Sequence, residues 1–99
     1  MKRISLPDKQ IVIINENNKE RFEKLTFEDT SVCAGICVRR DRTIYIGVFD
    51  KTKATLHHEL FHCIDFINNI LYEFEACKFS ESNAYLSTYL FNELQKGLK

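Results

Sequence analysis

The sequence predicts an α+β domain in which a small antiparallel sheet packs on two longer helices. The β-branched apolar run Ile11–Ile14 is typical of a buried strand. Apolar side chains alternate over Thr43–Phe49, as they do in a strand with one covered face. After Asp50 the apolar residues recur at the spacing of an amphipathic helix. Apart from one short helix, the predicted strands come before the two long helices, which argues against a βαβ repeat.

A short helix is predicted after the first strand. Asn17 or Asn18 is a suitable N-cap, and the helix would extend through Thr26. Phe22 and Leu25 then lie on one side of it.

An antiparallel hairpin is predicted over residues 31–49. Its first strand is Ser31–Val38, in which Gly35 indicates a bulge or a close backbone approach. Its second strand is Thr43–Phe49. The basic residues 39–42 between the strands are interpreted as a solvated turn, since three charges on a neutral chain favour nucleic-acid binding only weakly.

Two helices complete the predicted fold. Asp50 or Thr52 can cap the first helix, which would end near Asn69. The second helix is predicted to begin at Ser80, a suitable N-cap, and to end with Gly97 as its stop signal.

The composition is that of one globular domain spanning all 99 residues. Fourteen Lys and Arg balance fourteen Asp and Glu, so no nucleic-acid partner is expected. The longest apolar run has four residues, against about 20 for a membrane-spanning helix, and no secretory signal is apparent. We therefore expect a cytoplasmic protein (in the host cytoplasm if phage-encoded) that does not span a membrane. In that compartment free thiols are expected at Cys33, Cys37, Cys63 and Cys77.

The first long helix contains His58-Glu59-Leu60-Phe61-His62, an H-E-x-x-H pattern. Because an α-helix has 3.6 residues per turn, His58 and His62 project from one face and can both reach one Zn²⁺. Glu59 is rotated by about 100° and can act beside the metal as a general base for a zinc-activated water. The alternative is a partly buried helix whose histidines are satisfied in the core.

A catalytic zinc site usually has a third protein ligand. The positions three and six residues after His62 lack the Gly and His of the metzincin pattern. In gluzincins the third ligand is a Glu on a following helix, and Glu81 is favoured because it opens the last helix after a connection long enough to fold back. The downstream candidates are Glu73, Glu75, Glu81 and Glu93.

Two segments of the chain resemble small phage-type zinc metallopeptidases of the gluzincin kind. Residues 55–62 read T-L-H-H-E-L-F-H and residues 81–86 read E-S-N-A-Y-L. The family pattern is a T-L-x-H-E-x-x-H helix followed by a helix reading E-x-x-A-Y-L. The resemblance covers about residues 31–91 and implies a minimal zincin-like fold. It assigns the zinc ligands His58, His62 and Glu81 and the catalytic base Glu59.

The function predicted is therefore zinc-dependent hydrolysis of peptide bonds in a peptide or protein substrate. Tyr85, one helical turn after Glu81, is a candidate donor to the oxyanion, although an aromatic packed between the helices is the alternative. His57 is a weaker candidate, because it is rotated away from His58. The strand Ile44–Val48 is predicted to offer its edge to an extended peptide.

A second function stays open at this point. A chain of this length leaves no room for a second lobe to close the cleft. The protein could therefore be a catalytically weak, zinc-containing binding or inhibitory module of phage origin that acts on a host or phage protein. In either case a partner protein could complete the cleft.

Overall fold

The α+β class is confirmed by the structure, a computed structural model that describes residues 1–7, 10–71 and 81–98. In this part of the chain four strands form one sheet, and the helices lie in sequence positions close to those predicted. The elements are β1 (Lys2–Leu6), β2 (Ile11–Asn15), α1 (Lys19–Thr26), β3 (Gly35–Arg40), β4 (Thr43–Val48), α2 (Lys53–Leu71) and α3 (Glu81–Gln95).

The sheet is mixed, with strand order β1-β2-β4-β3. The hairpin of β3 and β4 is antiparallel, as predicted, and β1 pairs antiparallel with β2. At the centre, however, β2 runs parallel to β4, with Ile13 opposite Ile44. The prediction of an antiparallel sheet was therefore wrong at its centre. The chain between β2 and β4 includes α1 and β3, and a connection of this length allows a parallel return.

The first strand is an element that the sequence patterns missed. In β1 only Ile4 is fully buried, and Lys2 and Arg3 before it are charged. Lys2 is anchored by its ammonium, which donates to the carbonyl oxygen of Glu93 at 3.2 Å and to its carboxylate at 3.3 Å. A strand with one core residue shows too little alternation of apolar and polar residues to be predicted from its own sequence.

One apolar core joins the sheet to α2 and α3. Its fully buried members include Ile13, Ile44, Ile46, Leu56, Leu60, Cys63, Ile67, Leu90 and Leu94. On α1, Phe22 is buried and Leu25 is exposed; the Phe22 ring meets that of Phe49 edge-on at 5.5 Å. No helix among the described residues is long and apolar enough to cross a membrane.

Each of the two earlier helices is capped by one of the two residues predicted for it. The Asn18 side chain accepts a hydrogen bond from the Arg21 N–H at 3.0 Å and begins α1. Before α2, the Thr52 hydroxyl accepts from the Thr55 N–H at 3.2 Å. The Asp50 carboxylate in turn accepts from the Thr52 N–H at 3.0 Å and the Thr55 hydroxyl at 2.6 Å. These bonds join the end of β4 to the start of α2. The predicted cap Ser80 lies outside the described residues.

Candidate metal centre

The whole H-E-x-x-H segment lies within α2, so the helical context required by the motif is confirmed. The Asp50–Thr52 cap starts the helix shortly after β4 ends. Leu56 and Leu60 then anchor its inner face to the core. Burial of these apolar side chains therefore fixes the rotation of the helix about its axis. That rotation determines which way the side chains of the motif face.

His58 and His62 lie together on the exposed side of α2. Their ring centroids are 5.0 Å apart and the rings are inclined at 76°. Two imidazoles bound to one tetrahedral Zn²⁺ at about 2.0–2.1 Å would place their ring centres roughly 5 Å apart. The separation of the two ring centres is therefore compatible with a shared zinc ion. Neither histidine is a core residue, so the alternative of satisfied core histidines is not supported.

Glu59 lies between the histidine pair and the core. Although charged, its side chain is only 6% exposed. Burial raises the pKa of the Glu59 carboxyl, while the nearby His58 and His62 lower it. A carboxylate with a raised pKa is a better proton acceptor near neutral pH than an exposed one, as general-base catalysis requires.

Gly35 of β3 lies directly against this part of α2. A Cβ atom at this position would be 2.5 Å from Cγ2 of Thr55 and 3.0 Å from Cγ of Glu59. The close backbone approach predicted from this glycine is therefore confirmed. Its consequence was not predicted: the first residue of β3 is brought next to the candidate catalytic base.

The structure describes only part of the residue predicted as the third ligand. Glu81 is the first residue of α3, but its side chain lies outside the described part of the structure, as do Glu73 and Glu75 entirely. The remaining candidate, Glu93, accepts from the ammonium groups of Lys2 at 3.3 Å and Lys96 at 2.7 Å. Among the described side chains no three His, Cys, Asp or Glu residues are grouped as a metal site. Coordination by Glu81 stays a prediction.

Tyr85 of α3 and His57 of α2 were also predicted to lie near the site. Tyr85 is 73% exposed, so it is not the aromatic packed between the helices. That contact is made by His57, which stacks on Phe91 of α3 at 4.2 Å with the rings inclined by 16°. His57 is exposed on α2, as expected for a residue rotated away from His58. The stack joins α2 to α3 near the metal motif and was not predicted, because it depends on how the two helices pack.

The edge available to a substrate differs from the predicted one. β4, which contains Ile44–Val48, is paired with β2 on one side and with β3 on the other. The prediction that β4 offers its edge was therefore wrong. In the described part of the chain the sheet ends at β3, whose first residue Gly35 contacts Glu59. Because β2 pairs with β4 in parallel, β4 is an interior strand of the sheet.

The three cysteines in the described part of the chain are not grouped with the histidines in a metal site. Cys33, Cys37 and Cys63 are free thiols, as predicted, and Cys77 lies outside the described residues. A hydrogen bond with the buried Cys63 and its own burial strongly raise the pKa of the Cys37 thiol. Such a thiol is a poor nucleophile and a poor zinc ligand, since both roles require the thiolate.

Comparisons of the chain with protein-family models, with curated proteins and with solved structures found no match. Function is therefore inferred from the residues of α2, β3 and α3. The three that the structure brings together are His58, Glu59 and His62, and β3 contributes the adjacent Gly35.

Proposed function

We propose that this protein is a zinc-dependent metallopeptidase. The observation that carries the proposal is the exposed pair of His58 and His62, with ring centres 5.0 Å apart, beside the buried carboxylate of Glu59 on the same helix. Exposed imidazoles at zinc-binding spacing serve no evident packing purpose. A general base next to a metal pair is the arrangement that hydrolysis by a metal-activated water needs.

The zinc would be held by His58 and His62, with Glu81 as the proposed third ligand. When bound, the metal supplies a Lewis acid that polarises the scissile carbonyl and lowers the pKa of water. Glu59 would accept a proton from the attacking water on a carboxylate oxygen and pass it to the leaving amine. Tyr85 is retained as a proposed donor to the oxyanion, because it is one turn from Glu81 and its hydroxyl is not committed to the core.

A peptide substrate would pair with the outer edge of β3. An edge strand presents unpaired backbone N–H and C=O groups to which an extended chain can add. Because Gly35 lies within contact distance of Glu59, a strand added there would pass the candidate base. This placement replaces the role first predicted for β4.

The first test is the zinc content of the purified protein. We expect close to one equivalent of zinc by elemental analysis, and its loss in His58→Ala and in His62→Ala. The matched control is His57→Ala, which removes an exposed histidine of the same helix that stacks on Phe91 instead of facing the pair. Less than half an equivalent, unchanged in His58→Ala, would exclude both a peptidase and a zinc-containing binding module.

The second test separates a peptidase from a catalytically weak binding module. Cleavage of a peptide library is compared between the wild type and Glu59→Gln, with the zinc content of both measured in parallel. The variant should retain zinc and lose turnover by about 10²- to 10⁴-fold, the usual contribution of a general base. Full zinc occupancy with no cleavage by the wild type would instead support the binding module. Equal cleavage by both proteins would contradict the assignment of Glu59.

A further inference from the structure

Along β3, one face runs from the candidate base to a basic turn. Because side chains alternate in a strand, Gly35, Cys37 and Arg39 share this face. Gly35 contacts Glu59, and Cys37 packs against the apolar core. Arg39, the next residue on the face, is exposed. At about 3.3 Å per residue, its backbone lies roughly 13 Å from that of Gly35 along the strand.

Arg39 and Arg40, which were predicted to lie in the turn, are the last two residues of β3 and differ in their ion pairing. Arg40 donates to the Glu28 carboxylate at 2.9 Å and to the carbonyl oxygen of Thr26 at 3.1 Å, so its charge is paired. Arg40 also belongs to the opposite face of β3, by alternation. This residue is anchored toward the end of α1 and serves the fold.

Among the residues that the structure describes, Arg39 has no such carboxylate partner. Its Nε donates to the backbone carbonyl oxygen of Asp41 at 2.9 Å, and within the described part of the chain it forms no ion pair. The bond to Asp41 orients the guanidinium, while its two terminal nitrogens keep their donors for another acceptor. A guanidinium in this state is suited to a carboxylate, to which it can donate two parallel hydrogen bonds.

We propose that Arg39 is a specificity-determining residue that selects an acidic side chain in the substrate, four residues before the scissile bond. This rests on the proposed peptidase function and on substrate pairing at the edge of β3. The substrate residue opposite Gly35 lies next to Glu59 and therefore at the scissile bond. Antiparallel pairing is the more stable kind, and in it the residue opposite Arg39 comes four positions earlier in the substrate. A Glu or Asp there would face the unpaired guanidinium.

The proposal predicts that the enzyme prefers an acidic substrate residue at one position and that this preference depends on the Arg39 side chain. Decapeptides of one cleaved sequence carry Glu, Gln or Lys at the fourth residue before the scissile bond, and kcat/KM is measured for each. The wild type should prefer Glu over Lys by about two- to fivefold, the range of cross-strand charge pairs. Arg39→Gln should bring this ratio close to one, and Arg39→Glu should reverse it. Arg40→Gln is the matched control and should keep the wild-type preference, because Arg40 is paired and faces away.

A merely structural role of Arg39 would give a different result. Loss of the bond to Asp41 would lower kcat/KM for all three peptides alike and leave their ratio unchanged. An unchanged ratio in Arg39→Glu, with the fold intact by circular dichroism, would therefore overturn the proposal.

Binding measurements separate this proposal from the peptidase function. The Kd values of the same three peptides are determined for Glu59→Gln by fluorescence anisotropy. A preference for the Glu peptide that disappears in the double variant Glu59→Gln/Arg39→Gln supports the selection by Arg39, even if the wild type cleaves nothing. Equal Kd values for all three peptides would overturn it, whatever the turnover.

Discussion

The inner and outer faces of α2 differ in what their side chains contact. On the inner face, Leu60 and Cys63 are buried against the sheet. On the outer face, His58 and His62 are exposed and touch each other. The inner face therefore carries the free energy of folding, and the outer face can change without loss of the fold. In so small a domain, one helix provides both stability and the candidate chemistry by separating them around its axis.

Glu59 lies at the boundary between these faces. Burial of a carboxylate costs stability, and the raised pKa of Glu59 reflects that cost. Its position beside the histidine pair is the observation from which we propose a general base. Substitutions on each face test whether the two faces have these separate roles.

The largest effect is expected on the inner face. Leu60→Ala removes a core side chain and should lower the free energy of unfolding by about 2–5 kcal/mol. Its neighbour Phe61 is 74% exposed, so Phe61→Ala should change stability by only about 0.5 kcal/mol. Urea denaturation followed by circular dichroism measures both. Similar losses for the two variants would contradict the separation of the faces.

An intermediate effect is expected where β3 meets α2. Gly35→Ala would place a Cβ 2.5 Å from Cγ2 of Thr55 and should cost about 1–3 kcal/mol of stability, as overpacking does. Thr55→Ser removes that methyl group but keeps the hydroxyl that donates to Asp50. The double variant should therefore recover part of the loss in a denaturation experiment. A Gly35→Ala protein as stable as the wild type would show that β3 does not approach the helix this closely.

The smallest effect concerns the cap of α2 and its dependence on pH. Hydrogen bonds from the Thr55 hydroxyl and the Thr52 N–H lower the pKa of the Asp50 carboxyl. Because the folded pKa lies below the unfolded one, Asp50 stabilises the fold above the unfolded value of about 3.9. This contribution is lost as the pH falls through the folded pKa.

The test compares unfolding free energies at pH 6 with those at successively lower pH. In Asp50→Asn the decrease on acidification should be smaller than in the wild type, since the titrating group is gone. An Asp50→Asn curve parallel to the wild-type curve would show that the cap does not depend on ionisation.

Local patterns were sufficient for the elements that bury many apolar residues. Three apolar patterns each indicate a surface that must be buried: the β-branched run of β2, the alternation of β4 and the helical period of α2. All three elements are present in the structure. The Asn18 cap was predicted because it depends on residues within one turn. In β1, by contrast, one buried residue, Ile4, was too weak a signal.

The candidate site likewise contains residues that the sequence predicts and contacts that only the tertiary structure shows. His58, Glu59 and His62 could be named in advance because helix geometry alone places i and i+4 on one face. The contact of Gly35 with Glu59 depends on the packing of β3 against α2, and the stack of His57 on Phe91 depends on the packing of α3. Neither contact is encoded by spacing along the chain.

By itself, the sequence determined the α+β class, the strands and helices with strong periodicity, and the pair of histidines with its adjacent carboxylate. The tertiary structure decided the strand order β1-β2-β4-β3 and with it the edge position of β3. The packing of β3 against α2 brings Gly35 next to Glu59. Arg39 lies farther along the same face of β3. The physical reason is that backbone hydrogen bonding sets each element locally, whereas pairing between distant strands depends on how the whole apolar surface is covered.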